Sequence, residues 1–190
     1  MMRASTFAIF LLAACAPAAY REPADVDTAT LRIENQGPAL FGYELEADTY
    51  ENAAACSGRL RVASAKGLPR GVAHTVRVAA GTDFTLTIRA AGGGPSRGDS
   101  CALAGTFAPT AAEHYAAIFR ADERKCELLL LRQQTVASGA RRYVREVSYR
   151  ERYDAACLGA NAPSSIPAPA GVPQLPPGSG APPVPPLPPR

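Results

Sequence analysis

The sequence is short of the residues that build most metal and catalytic sites. It has no tryptophan, two methionines and two histidines, and only two of its 20 basic residues are lysine. Two isolated histidines, His74 and His114, cannot build a histidine-rich metal site by themselves. Charge of one sign is lacking too. A formal net charge of +3 is small, and it is not gathered into one block, so nucleic acid is not an expected partner. No apolar run reaches the ~18 residues needed to cross a bilayer as a helix. Catalytic motifs are missing as well. There is no G-x-S-x-G elbow, no H-E-x-x-H and no EF-hand loop. The loop Gly92-Gly93-Gly94-Pro95-Ser96-Arg97-Gly98 lacks the Gly-Lys-Ser/Thr of a phosphate loop. No catalytic constellation, cofactor or metal is expected.

What the chain does have is lopsided. Its 190 residues include 38 alanines, 18 prolines, 16 glycines, 18 arginines and five cysteines. A length of this order suits one domain or a small pair. The odd cysteine count matters, because a disulfide framework uses cysteines in pairs.

The N-terminus accounts for the odd one. Arg3 precedes an apolar run, Thr6-Phe7-Ala8-Ile9-Phe10-Leu11-Leu12-Ala13-Ala14, which ends at Cys15. A basic start, a short apolar stretch and small residues at its end describe a secretory signal. The ending Leu12-Ala13-Ala14-Cys15 resembles the lipobox of bacterial lipoproteins. The resemblance covers the first 15 residues only. It implies that the Cys15 thiol receives a diacylglycerol, that cleavage falls before Cys15 and that the new amino group is acylated. Burial contributes ~0.8 kcal/mol per methylene, so two or three chains make a stable anchor. Ala16, rather than aspartate, follows the cysteine. In Gram-negative lipoproteins this resembles the signal for export to the outer membrane, and the expected location is that membrane, facing the periplasm. The competing readings are an ordinary signal cut elsewhere, for example after Ala19, and a buried core helix. The arginine flank and the abrupt change to Ala/Pro-rich sequence oppose the second.

Residues 1–14 are therefore expected to be the signal peptide. Residues 15–29 show no clear period and read as a lipidated, flexible tether; the 14 residues after Cys15 could extend ~50 Å. Residues 30–158 read as β structure. Leu31/Ile33, Phe41/Tyr43/Leu45, Leu60/Val62, Val72/His74/Val76/Val78 and Phe84/Leu86/Ile88 each alternate with polar or small residues. This period of two marks half-buried strands. Segments 101–107 and 114–119 are less regular, and 141–149 alternates again. Leu128 to Leu131 is continuously apolar and fits a strand covered on both faces. The short links 79–83, 121–125 and 137–140 suggest an antiparallel meander of about eight or nine strands. The expected fold is all-β, an antiparallel sandwich in preference to a small barrel. Residues 52–56 suggest a helical turn, and Tyr149, Tyr153 and Cys157, four apart, suggest a closing helix. Residues 159–190 read as a tail. Asn161 to Arg190 holds 12 of the 18 prolines and one charge, so it cannot form a core and is expected to be extended.

Setting Cys15 aside leaves Cys56, Cys101, Cys126 and Cys157. In an exported domain an even set reads as disulfides, and three connectivities are possible. The one favoured is Cys56–Cys101 with Cys126–Cys157. No C-x-x-C spacing supports a metal instead.

Few residues suggest a binding site. His74 shares a strand face with valines and is expected to be packed or at an edge. His114 begins a strand beside Glu113. Glu44 and Glu46 share an outward face, where solvated charge is the plain reading. Arg97-Gly98-Asp99-Ser100 resembles the cell-attachment sequence of integrin ligands, although arginine and glycine are abundant enough for chance to produce it. Arg141, Arg142, Arg145, Arg150 and Arg152, interleaved with Tyr143, Tyr149 and Tyr153, are of the kind that binds polysaccharide or polyanion. Glu146, Glu151 and Asp154 break the run, so a solvated face is preferred. The leading reading is a noncatalytic, membrane-anchored envelope lipoprotein. Its β domain would serve as a binding or structural module toward an envelope protein or cell-wall polymer. The alternatives are an inhibitor of a hydrolase such as lysozyme and an adhesin acting through Arg97, Gly98 and Asp99. A slightly basic domain poorly complements a basic lysozyme.

Overall fold

The structure is a computed structural model, and it describes residues 17–37, 44–63, 67–91, 100–121 and 125–159. Eleven strands and one short helix follow in order: β1 (Ala18–Ala19), β2 (Thr28–Asn35), β3 (Glu44–Asn52), β4 (Ser57–Arg61), β5 (Ala73–Ala79), β6 (Phe84–Ala91), β7 (Ser100–Phe107), β8 (His114–Ala121), β9 (Cys126–Thr135), β10 (Arg141–Arg145), β11 (Arg150–Arg152) and α1 (Ala155–Leu158). They form two open sheets, a six-stranded sheet A ordered β1-β4-β3-β6-β7-β11 and a five-stranded sheet B ordered β10-β9-β8-β2-β5. The expected all-β sandwich is what the chain forms. It is not a simple meander, because the β5–β6 link crosses from sheet B to sheet A and β7–β8 crosses back. β2 inserts between β5 and β8, antiparallel to the first and parallel to the second.

Alternation decides which side of each strand is buried. Leu31 and Ile33 of β2, Val76 and Val78 of β5, and Tyr115, Ala117 and Phe119 of β8 face Leu45, Ala47, Leu86, Ile88 and Phe107 of sheet A in one apolar core. Phe107 touches both Phe84 and Tyr115 in edge or tilted ring contacts, with centroids 5.9 and 5.1 Å away. Such pairs add to the area term in binding the sheets together.

Several expectations need correction. Residues 17–29, read as a flexible tether, belong to the fold: β1 pairs with β4, and β2 begins at Thr28. Their lack of period is real, but tertiary partners rather than periodicity order them. Residues 53–56 form a turn rather than a helix, with Cys56 in the left-handed region at φ 50°. No helix joins Tyr149 to Cys157. Arg150–Arg152 pairs with β7 as a strand, and helix is confined to Ala155–Leu158. The apolar run in β9 is covered fully on one face only. Leu128 and Leu130 are buried, while Leu129 and Leu131 are half-buried on the outside.

The favoured disulfide pairing is wrong. Cys56 bonds Cys157, and Cys101 bonds Cys126. The crossing topology is the reason. It brings the start of β7 beside the start of β9, joining sheet A to sheet B, and lays α1 over the β3–β4 turn. The expected signal peptide, Cys15, the Arg97-Gly98-Asp99 loop and the proline-rich tail lie outside the described residues.

Candidate functional site

Two polar assemblies stand out, and the first is structural. On the outer face of sheet A, register places Asp48 of β3 opposite Arg61 of β4 and Thr87 of β6. The Asp48 side chain is fully buried among three arginines. Its Oδ1 accepts from Arg61 Nε at 2.6 Å, and its Oδ2 accepts from Arg59 Nε at 2.8 Å and Arg89 Nη1 at 2.7 Å. Glu46 extends the ladder to Arg61 Nη2 at 3.0 Å. Glu46 thus faces outward, as expected, but it is ion-paired rather than simply solvated.

The ladder continues under α1. Arg89 Nη2 donates to the Cys157 carbonyl at 3.1 Å, and the Tyr50 phenol donates to the same carbonyl at 2.7 Å. The Cys56–Cys157 disulfide, Tyr50, Ala104 and Leu158 make a small second core here. Each of the three guanidinium groups donates to a protein acceptor, so the assembly holds the C-terminal turn down and offers nothing evident to a ligand.

The second assembly is the candidate site. A cleft of about 290 Å³ opens where the edges of the two sheets meet, lined by Glu127, Leu128, Leu129, Leu130, Arg145, Glu146, Tyr149 and Glu151. The turn from β10 to β11 makes it. Tyr149 packs its ring on Gly105 of β7, in the space a β-carbon would take. Burial first, and then the charge of Glu151, pushes the Tyr149 phenol well above its ordinary value. Glu146 is buried, with its side chain 4% exposed. Its Oε1 accepts the Ser148 N–H at 2.9 Å. Its Oε2 stands 3.5 Å from Arg132 Nε, and neither of those atoms makes a hydrogen bond. At the rim Arg145 faces Glu127 at 3.6 Å, and Glu151 accepts the Tyr153 phenol. Three carboxylates line an apolar floor, two of them ion-paired within the protein, Glu127 to Arg145 and Glu146 to Arg132, which leaves a slight acidic excess at Glu151. That chemistry suits an ammonium or guanidinium group on an aliphatic stem.

The basic, tyrosine-rich stretch does not form one surface. Arg141, Arg142 and Arg145 lie on β10 at the edge of sheet B, while Arg150 and Arg152 lie on β11 at the edge of sheet A. Arg150 pairs with Asp83 and Arg152 with Asp154. Tyr143 and Tyr153 are exposed, whereas Tyr149 is enclosed. His74 sits half-buried on β5 opposite Ile33, and His114 is exposed at the start of β8. Neither meets a nucleophile, and among the described residues no group of three His, Cys, Asp or Glu could hold a metal ion. Nor, among them, is any helix long and apolar enough to cross a membrane. Sequence reasoning passed over Asp48 and Arg132, and read Glu146 only as a break in the basic run. Asp48 had a signal, because Glu46 and Asp48 alternate on one strand as Arg59 and Arg61 do on the next. Arg132 had none, and nothing in the sequence marks Glu146 as buried.

No family model, curated protein or solved structure matches this chain.

Proposed function

We propose that the protein is a noncatalytic, lipid-anchored envelope lipoprotein whose β domain serves as a binding module. The observation that carries the reading is the cysteine inventory. All four cysteines of the described residues are paired in two disulfides, and the fifth, Cys15, closes a lipobox-like Leu12-Ala13-Ala14-Cys15. Disulfides of this kind persist in oxidising spaces outside the cytoplasm, and a thiol kept out of the pairing is free for acylation. The cleft between the sheet edges is where this module would meet a basic group of an envelope protein or cell-wall polymer. Its volume and apolar floor with carboxylates around it support binding, and no nucleophile–base pair among the described residues lends support to catalysis. Metabolic labelling with a radioactive fatty acid, followed by membrane fractionation, tests the anchor. Label should enter the wild type and not Cys15→Ser, and that variant should leave the membrane fraction. An unlabelled wild type overturns the reading.

A further inference from the structure

The N-terminal strap restricts how such a protein can sit on its membrane, an inference that rests on the lipid-anchor reading. β1 runs parallel to β4, with Ala18 opposite Leu60 and Ala19 opposite Arg61. Tyr20 then fastens both sheets. Its N–H donates to the Arg61 carbonyl at 2.8 Å, and its phenol donates to the Arg77 carbonyl of β5 at 2.9 Å. Its ring meets Phe84 edge-on, with centroids 6.2 Å apart. Glu22 accepts from Arg77 Nε at 2.8 Å. The segment behind the anchor is therefore stitched down from Ala18 onward.

Direction follows from the parallel pairing. Traced back from Ala18, the chain heads toward the start of β4. That end of the sandwich is built from the turn 53–56, the links 80–83, 108–113 and 136–140, and the residues that lead into β2. The turn, the first two links and the start of β2 are held by Thr85 Oγ1 to the Ala53 carbonyl at 2.8 Å, Gly81 N–H to the Pro109 carbonyl at 2.9 Å and Ala112 N–H to the Thr28 carbonyl at 2.9 Å. Ala54, Ala55, Gly81, Thr82, Ala108, Thr110, Ala111 and Ala112 are exposed there, and so are the charged residues Asp25, Asp27, Asp83, Arg141 and Arg142. The opposite end holds the end of β2, the start of β7 and the Cys101–Cys126 bond.

We propose that the end made by 53–56, 80–83 and 108–113 lies against the lipid bilayer and that the Cys101–Cys126 end points away from it. Three peptide units separate Cys15 from Ala18, a reach of ~10 Å at full extension. An eight-residue strand rises ~26 Å, so the far end stands that much further out. A long leash would let the domain tumble, and this one does not. The covalent anchor supplies the attraction, and the short reach behind it sets which end faces the bilayer.

The test uses the full-length lipidated protein in phosphatidylcholine vesicles doped with a fluorescent acceptor lipid. A donor dye is placed by noncanonical amino acid at Thr82 in one variant and at Gln36 in another, both exposed positions. Energy transfer is expected to be several-fold greater from Thr82. Inserting eight Gly/Ser residues after Ala16 should bring the Thr82 signal down to the Gln36 level. Equal transfer from both sites in protein whose intact mass carries lipid on Cys15 overturns the orientation alone. A mass showing no lipid overturns the orientation together with the anchor reading.

Discussion

Asp48 is the residue on which most of the outer face of sheet A depends. Three guanidinium groups converge on its buried carboxylate. Removing one partner of a fully buried ion pair costs ~3–5 kcal/mol. Arg59, Arg61 and Arg89 are 38, 14 and 23% exposed and water can partly solvate them, so the cost here falls at the low end. Asp48→Ala is accordingly expected to lower unfolding free energy by about that amount in urea titrations. Gly105 is constrained differently. A β-carbon there would occupy the Tyr149 ring, and overpacking typically costs ~1–3 kcal/mol. Gly105→Ala should destabilise the wild type by about this much, yet cost far less in a Tyr149→Ala background. A double-mutant cycle reads the difference.

Tyr149 also gives a pH dependence. Its folded-state pKa is raised above the ordinary value of 10.0, by burial and then by Glu151, and Tyr20 is shifted in the same direction by burial and then Glu22. A raised folded value means the fold holds its proton longer than the unfolded chain does. The contribution is therefore complete below pH 10 and is lost as pH rises beyond it. Thermal melts should show stability falling above pH 10, with a shallower fall in Tyr149→Phe.

At the scale of elements, the disulfides do unequal work. Cys56–Cys157 closes a separation of 101 residues, and Cys101–Cys126 closes one of 25. Loop entropy gives about 4.7 and about 3.5 kcal/mol for loops of these sizes, a difference of about 1 kcal/mol. The double variant Cys56→Ser/Cys157→Ser should thus be the less stable of the two double variants. It should also release α1, so hydrogen exchange at Cys157, Leu158 and Gly159, whose N–H groups bond within 154–159, should accelerate. In Cys101→Ser/Cys126→Ser those amides should stay protected.

Much of the strand content is legible because a half-buried strand must alternate. Leu31/Ile33, Val76/Val78 and Phe84/Leu86/Ile88 announce β2, β5 and β6. The elements that escape are short ones with no period to show. Ala18–Ala19 and Arg150–Arg152 become strands because β4 and β7 offer them free edges. The spacing of Tyr149, Tyr153 and Cys157 suggests a helix, yet Tyr149 and Cys157 are placed by distant partners, Gly105 and Cys56, and Tyr153 bonds to Glu151 two residues away. Disulfide pairing was illegible for the same reason, since it depends on which strands cross between sheets. Of the cleft, Arg145, Tyr149 and Glu151 belong to the basic stretch that the sequence singles out. What the sequence does not show is that Glu127 and Leu128–Leu130 of another strand complete it around Glu146.

On the scale of the molecule, the described chain is tied down near both its ends. The first of these ties joins the two sheets, while the second lies on sheet A. Tyr20 ties sheet A to sheet B near the N-terminus, and Cys157 is pinned under Tyr50, Thr87 and Arg89 near the end of the described chain. β2 must wait for β8, which lies some 80 residues later in sequence, before its parallel partner exists. Pairings of such long range make folding slow compared with local hairpins.

The nested pairing has a consequence for biogenesis. A chain threaded across a membrane N-terminus first exposes Cys56, then Cys101, then Cys126 and last Cys157. An oxidant that joins neighbours as they emerge would make Cys56–Cys101, which the native molecule does not contain. The native set, last with first around an inner pair, forms only if oxidation waits for the whole chain or if wrong bonds are reshuffled. Refolding of the reduced domain should therefore give high yields of native protein in a glutathione buffer that permits exchange. Fast, irreversible oxidation should give trapped isomers, separable by chromatography, and equal native yields under both regimes would contradict this order of events.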